Sequence, residues 1–188
     1  EGAIKEVSEL LDKLVKAVKT AEGASSGTAA IGEVVADADA AKVADKASVK
    51  GIAKGIKEIV EAAGGSEKLK VAAAKGENNK GAGKLFGKAG AAAHGDSEAA
   101  SKAAGAVSAV SGEQILSAIV KAADAAEQDG KKPEDAKNPI AAAIGDKDGG
   151  AEFGDGMKKD DQIAAAIALR GMAKDGKFAV KDGEKEKA

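Results

Sequence analysis

Three observations predict a mainly α fold, an irregular helical bundle with long glycine-rich loops and at most one or two short strands. Of the 188 residues, 46 are Ala and 25 are Gly, while Leu, Ile, Val and Phe together supply 34. With so few large side chains, apolar surface is buried chiefly by helices approaching closely through alanine. The charges nearly cancel, 29 Lys and Arg against 31 Asp and Glu, so the chain lacks the high net charge that keeps a thinly apolar sequence disordered. Finally, large apolar residues recur every three or four positions in segments separated by glycine. The length suits one domain, residues 1–188.

Ile4, Val7, Leu11, Leu14 and Val18 draw one apolar stripe along a first helix, with Glu9 and Lys13 in the favoured order four apart and a stop near Gly23. Thr28 caps an expected second helix through Ile31, Val34, Val35 and Ala38, and Ala40 to Ala47 is helix-prone. A third is expected after Ser48, turning Val49, Ile52, Ile56, Ile59 and Val60 to a partner until Gly64-Gly65. Gly51 and Gly55 make a GxxxG spacing within it, which among interleaved lysines favours close backbone contact over membrane dimerisation. Residues 76 to 96, rich in Gly with Leu85 and Phe86 as large anchors, read as loop and frayed helix.

Order is expected to return at Ser97, the cap of a helix through Val107 and Val110. Ser111 with Gln114 is a capping-box pattern opening a helix with Ile115, Leu116, Ile119 and Val120 inside, closed by Gly130. Asn138-Pro139 reads as cap and first residue of a short helix ending at Gly145. An acidic loop, Asp146 to Gly156, precedes a last helix carrying Ile163, Ala166, Ile167, Arg170 and Met172. Asp175-Gly176 then turns the chain into a short strand, Lys177 to Val180, and the charged tail from Lys181 reads as loose. The pentapeptide Ile-Ala-Ala-Ala-Ile occurs at 140–144 and at 163–167, a ridge small enough for neighbouring helices to approach.

Composition excludes several chemistries. Without Cys there are no disulfides, zinc-thiolate sites or cysteine nucleophiles. One His precludes a multi-histidine metal site in one chain, and three Phe without Trp or Tyr leave no stacking platform for nucleic acid. Nothing approaches the roughly 18 apolar residues of a membrane span.

Candidate motifs mostly reduce to ordinary structure. Gly171 to Lys177 has the spacing of a phosphate loop, but Phe178 stands where Ser or Thr would reach the metal. Gly81-Ala82-Gly83 lacks the third glycine of a dinucleotide loop. Asp146, Asp148, Glu152 and Asp155 miss the calcium-loop template at Ala151 and Met157 and read as a solvated acidic loop. His94 has no nucleophile or carboxylate at a motif spacing and reads as a surface histidine. No residue starts an enzyme hypothesis, and no cofactor is expected.

Met157 to Lys181, MKKDDQIAAAIALRGMAKDGKFAVK, resembles over its whole length the sixth invariant region of the variable major protein-like sequence (Vls) surface lipoproteins of Lyme-disease spirochaetes. Glu1 to Lys5 looks like the boundary repeat of the exchangeable cassette in that family, and Val49 to Leu69 and Ser101 to Pro133 are also similar to it. The resemblance implies a lipid-anchored outer-membrane protein used for immune evasion, its cassette rewritten by gene conversion, with no catalysis and no cofactor. It implies that the flanking constant regions and the lipidated N-terminus lie outside this chain, so that membrane contact runs only through that anchor. The partners it implies are host antibodies, with no nucleic acid. It also implies that Met157, Lys158, Lys159, Asp160, Asp161, Gln162, Ile163, Ile167, Leu169, Arg170, Met172, Lys174, Asp175, Lys177, Phe178 and Lys181 belong to an invariant antibody epitope. Of these, Ile163, Ile167, Leu169, Met172 and Phe178 are expected to be largely buried.

Poor apolar content places the variable surface at Ala24 to Ala47, Lys70 to Asn79, Ala89 to Glu98 and Glu134 to Gly156. The alternative function is an adhesin for a host extracellular ligand, an acidic glycan, held by Lys50, Lys54 and Lys57 or by Lys131, Lys132 and Lys137.

Overall fold

The computed structural model describes residues 2–25, 31–36, 43–69, 71–87 and 94–187. Its helices are α1 (Gly2–Ser25), α2 (Lys46–Ala62), α3 (Ser97–Ser108), α4 (Gly112–Ala123), α5 (Pro139–Ile144) and α6 (Asp160–Met172), joined by short 3-10 turns. Two short strands, β1 (Val34–Val35) and β2 (Phe178–Ala179), pair in parallel, Val34 opposite Phe178 and Val35 opposite Ala179. The expected mainly helical architecture is what the chain adopts.

α6 is the axis, with α2, α3, α4 and α5 all packed on it. Its alanines let them approach from every side, so it is apolar all round rather than amphipathic. Ile163 and Ala166 enter one core cluster with Phe86, Phe153, Met157 and Phe178. Ala165 and Leu169 enter a second with Val49, Ile52, Ile119 and Ile140. The three phenylalanines meet edge to face, Phe86 lying 5.1 Å from Phe153 and 5.5 Å from Phe178 between ring centroids. The two Ile-Ala-Ala-Ala-Ile segments, expected to let neighbouring helices approach, lie on helices that contact each other, since α5 packs on α6 with every one of its residues buried.

Local signals that need no distant partner are reproduced. Ser111 and Gln114 form the reciprocal capping box of α4. Asn138 caps α5 through the Ala141 N–H at 3.0 Å, with Pro139 at the first helical position and Gly145 at φ 77° beyond its end. The caps of α2 and α3 fall earlier than expected: Asp45, three residues before Ser48, and Asp96, one before Ser97, accept the orphan N–H groups. α4 ends at Ala123, short of Gly130.

Three expectations are corrected. The stripe Ile4, Val7, Leu11, Val18 on α1 is not buried; all four exceed half exposure, and Leu14 is half-buried. α2 lies instead against the alanine face of α1. Gly51 and Gly55 approach Ala24 and Ala21 so closely that a Cβ on either glycine would fall 2.5 or 2.6 Å from the alanine Cβ. The GxxxG spacing therefore works as close backbone contact, and that contact fixes which face of α1 is covered.

Secondly, Val34 and Val35 form a strand, not a helix, because the edge of β2 offers them backbone partners; Thr28, Ala38 and residues 40–42 lie outside the described residues. Thirdly, Lys80 to Phe86 is a 3-10 helix buried in the core instead of frayed, with Ala82, Leu85 and Phe86 nearly inaccessible. Its glycines permit contact: a Cβ on Gly83 would lie 2.5 Å from the Phe153 backbone nitrogen, and one on Gly87 would lie 2.2 Å from the Gly149 carbonyl oxygen.

Candidate functional site

The segment Met157 to Lys181 forms the centre of the molecule. Met157, Ile163 and Leu169 have no accessible surface, and Phe178 is buried, while Ile167 and Met172 are half-buried at the edges of the two clusters. The expectation of burial thus holds fully for Ile163, Leu169 and Phe178 and in part for Ile167 and Met172.

Its polar residues serve as anchors. Asp160 and Asp161, at the positive end of α6, are buried acids, a placement that the helix dipole favours. Asp160 accepts a hydrogen bond from the Asn79 side-chain amide at 2.9 Å, and its own N–H donates to the Gly76 carbonyl at 3.2 Å. Asp161 accepts the Ala74 N–H at 3.3 Å and the Gln162 N–H at 2.9 Å. Together these pin the loop 74–79 over the start of α6. Lys158 pairs with Glu77 at 3.3 Å, Lys159 occupies the cap position, and Gln162 donates to the Gly156 carbonyl at 3.1 Å.

Arg170 is the largest fully buried side chain. Its Nε donates to the Lys177 carbonyl at 2.7 Å, and one terminal nitrogen reaches the carbonyls of Ala143 and Ile144 at 2.8 and 3.1 Å. The guanidinium lies 5.5 Å from the centre of the Phe86 ring. Burial lowers its pKa to about 10, which leaves it charged at neutral pH. It therefore places positive charge on the last carbonyls of α5, where the helix dipole is negative, and ties α5, α6 and the final turn together.

That turn has Asp175 at φ 60° and Gly176 where any Cβ would collide with the Arg170 carbonyl oxygen at 1.8 Å. Lys174 is exposed, but its N–H donates to Ser48 Oγ at 2.9 Å. Lys177 pairs with Glu33 at 3.2 Å and Lys181 with Asp96 at 3.5 Å. The Ala99 N–H, and then Lys181, hold the Asp96 carboxyl below the usual carboxylate range.

The remaining candidates stay apart. Asp146 accepts the Asp148 N–H, Glu152 pairs with Lys84 and Asp155 with Lys80, so the acidic loop does not converge. Among the described residues no three His, Asp or Glu side chains are placed to hold a metal. His94 is exposed. In the lysine clusters, Lys54 pairs with Glu58, Lys57 with Glu61 and Asp124, and Lys131 with Glu127. Among the described residues no single helix is long and apolar enough to cross a membrane. Sequence reasoning missed the core role of Phe153 and the anchoring of loop 74–79, because both depend on contacts across more than sixty residues of chain.

A family model described as Borrelia lipoprotein matches residues 1–188. The chain belongs to this lipoprotein family. It is 39% identical over 186 residues to Variable large protein 17 of Borrelia hermsii, covering 97% of this chain and 52% of that protein. It is 37% identical to Variable large protein 4 of the same organism, covering 95% of this chain and 52% of the relative. The chain thus spans about half the length of these relatives. Its fold matches the crystal structure of the Lyme disease variable surface antigen VlsE of Borrelia burgdorferi, with a TM-score of 0.98 and 97% identity over all of this chain and 64% of that one.

Proposed function

We propose that this chain is the variable part of a surface-exposed lipoprotein of the outer membrane, which evades host antibodies because its rim changes by segmental gene conversion while its centre stays fixed. The observation that carries this reading is the placement of Met157 to Val180 at the core, beneath loops whose charged residues face solvent. Exposed charged positions tolerate exchange at typically within about 0.5 kcal/mol, whereas the buried centre does not. The name of the structurally matched antigen and those of the two relatives agree with this role.

The expected rim is narrowed at single buried positions, Val35, Ala44, Ala74 and Gly95, and most of all in its last stretch. Glu134 to Gly156 is not uniformly outer surface, since α5 and Phe153 within it are buried. Glu134, Asp135, Lys137, Asp146, Lys147, Asp148, Glu152 and Asp155 remain as its exposed or half-exposed charged residues. Aligning sister copies of this segment tests the proposal. Substitutions should crowd into these positions and into the exposed parts of 71–79 and 94–98, and spare Ile52, Ile119, Ile163 and Leu169. Divergence concentrated at those four residues would refute it.

A further inference from the structure

We propose that the strand Lys177 to Lys181 is sealed by two covers that hold it through main-chain hydrogen bonds, so that the covers' outward side chains can be exchanged without exposing it, with Gly95 as the fixed point of the seal. This rests on the proposed function only in treating the covers as part of the changing rim. Successive N–H groups of a strand point to opposite edges. On one edge, Phe178 donates to the Glu33 carbonyl at 2.8 Å and Val180 to the Val35 carbonyl at 2.9 Å. On the other, Lys181 donates to the Gly95 carbonyl at 2.9 Å.

These bonds use no side chain of the covers. The ion pairs Lys177–Glu33 and Lys181–Asp96 lie over the same two edges, but they are partly exposed, and such pairs contribute little. Ile31 and His94 face outward, whereas Val34 and Val35 turn inward and must stay apolar. Among the described residues of the second cover, 94–96, it is Gly95 that the backbone commits: a Cβ there would sit 2.1 Å from the Ala179 carbonyl oxygen and 3.2 Å from Leu85. A side chain at 95 would lift the cover from the strand edge.

Residue-resolved amide hydrogen exchange on the full 188-residue chain tests this, with the amides of Ile163 to Leu169 in α6 as internal reference. In the triple variant Ile31→Ser, Glu33→Ala, His94→Ala, the Phe178, Val180 and Lys181 amides should exchange within about threefold of the parent, whereas Gly95→Ala should speed Lys181 by about tenfold or more and leave the reference unchanged. Should Gly95→Ala fail to fold, Lys181→Pro, which deletes the same donor at an exposed position, should speed Val180 while the triple variant does not. The proposal is overturned if the triple variant opens the strand as far as the glycine variant does, or if removing the Gly95 bond leaves exchange unchanged. Sister copies that keep a constant rim would refute the antigenic reading and leave this exchange result standing.

Discussion

Arg170 shows how much one side chain can organise when its donors meet backbone rather than acid. Its fork spans the end of α5 and the final turn, and two glycines nearby make room for this residue, one for its side chain and one for its backbone. A Cβ on Gly145 would approach the guanidinium to 2.8 Å, and one on Gly176 would meet the Arg170 carbonyl. Arg170→Lys keeps the charge but not the planar fork, so it leaves buried carbonyls unpaired. The expected cost is about 3 kcal/mol or more, read as a lower urea midpoint. Asp96 gives a prediction of a different kind. Its carboxyl binds the proton less tightly when folded, so its contribution is complete above the unfolded pKa of about 4 and is lost as pH falls through the lower folded value. Asp96→Asn keeps a cap for α3 but should flatten the acid limb of a stability-against-pH curve below about pH 4.

Helix α1 shows that an element can be legible while its packing is not. Its period announces an amphipathic helix, and the helix forms over Gly2–Ser25. Yet the side it presents to α2 is the alanine side, because Gly51 and Gly55 let the two backbones come together there and large side chains would hold them apart. The two faces make opposite predictions. Gly55→Ala should cost about 1–3 kcal/mol, since its Cβ would also lie 2.8 Å from the Ala21 backbone. Leu11→Ser, on the exposed stripe, should change the stability of this chain, read from its denaturation curve, by less than about 0.5 kcal/mol. Equal losses from both would show that α1 is turned the other way in solution. The 3-10 helix at Lys80–Phe86 carries the same lesson, as glycine read in isolation means freedom, but Gly83 and Gly87 are spent on contact with Phe153 and Gly149.

Across the whole molecule, α6 and the strand that follows it lie inside, and the charged loops lie outside. Antibodies raised against a synthetic Met157–Lys181 peptide should therefore bind the folded chain at least about tenfold more weakly than the urea-unfolded chain, each tenfold corresponding to about 1.4 kcal/mol of opening. Equal binding to both forms would contradict the burial of Ile163, Leu169 and Phe178. The lysine clusters bear on the adhesin alternative in the same experiment series. Lys54, Lys57 and Lys131 already face acids of this chain, so binding of an acidic glycan would have to compete with those pairs and would fall steeply with salt.

By itself the sequence determined the helical class, the capping box at Ser111, the start of α5 at Asn138-Pro139, the turn at Asp175-Gly176 and the family, because each is written in adjacent residues or in a long contiguous match. Only the tertiary structure decided which face of α1 is covered, why Val34 and Val35 pair as a strand, and why a glycine-rich stretch and the arginine of α6 belong to the core. Those outcomes depend on how closely distant backbones approach, and in a chain built so largely of alanine and glycine that distance is set by the partner rather than by the segment itself.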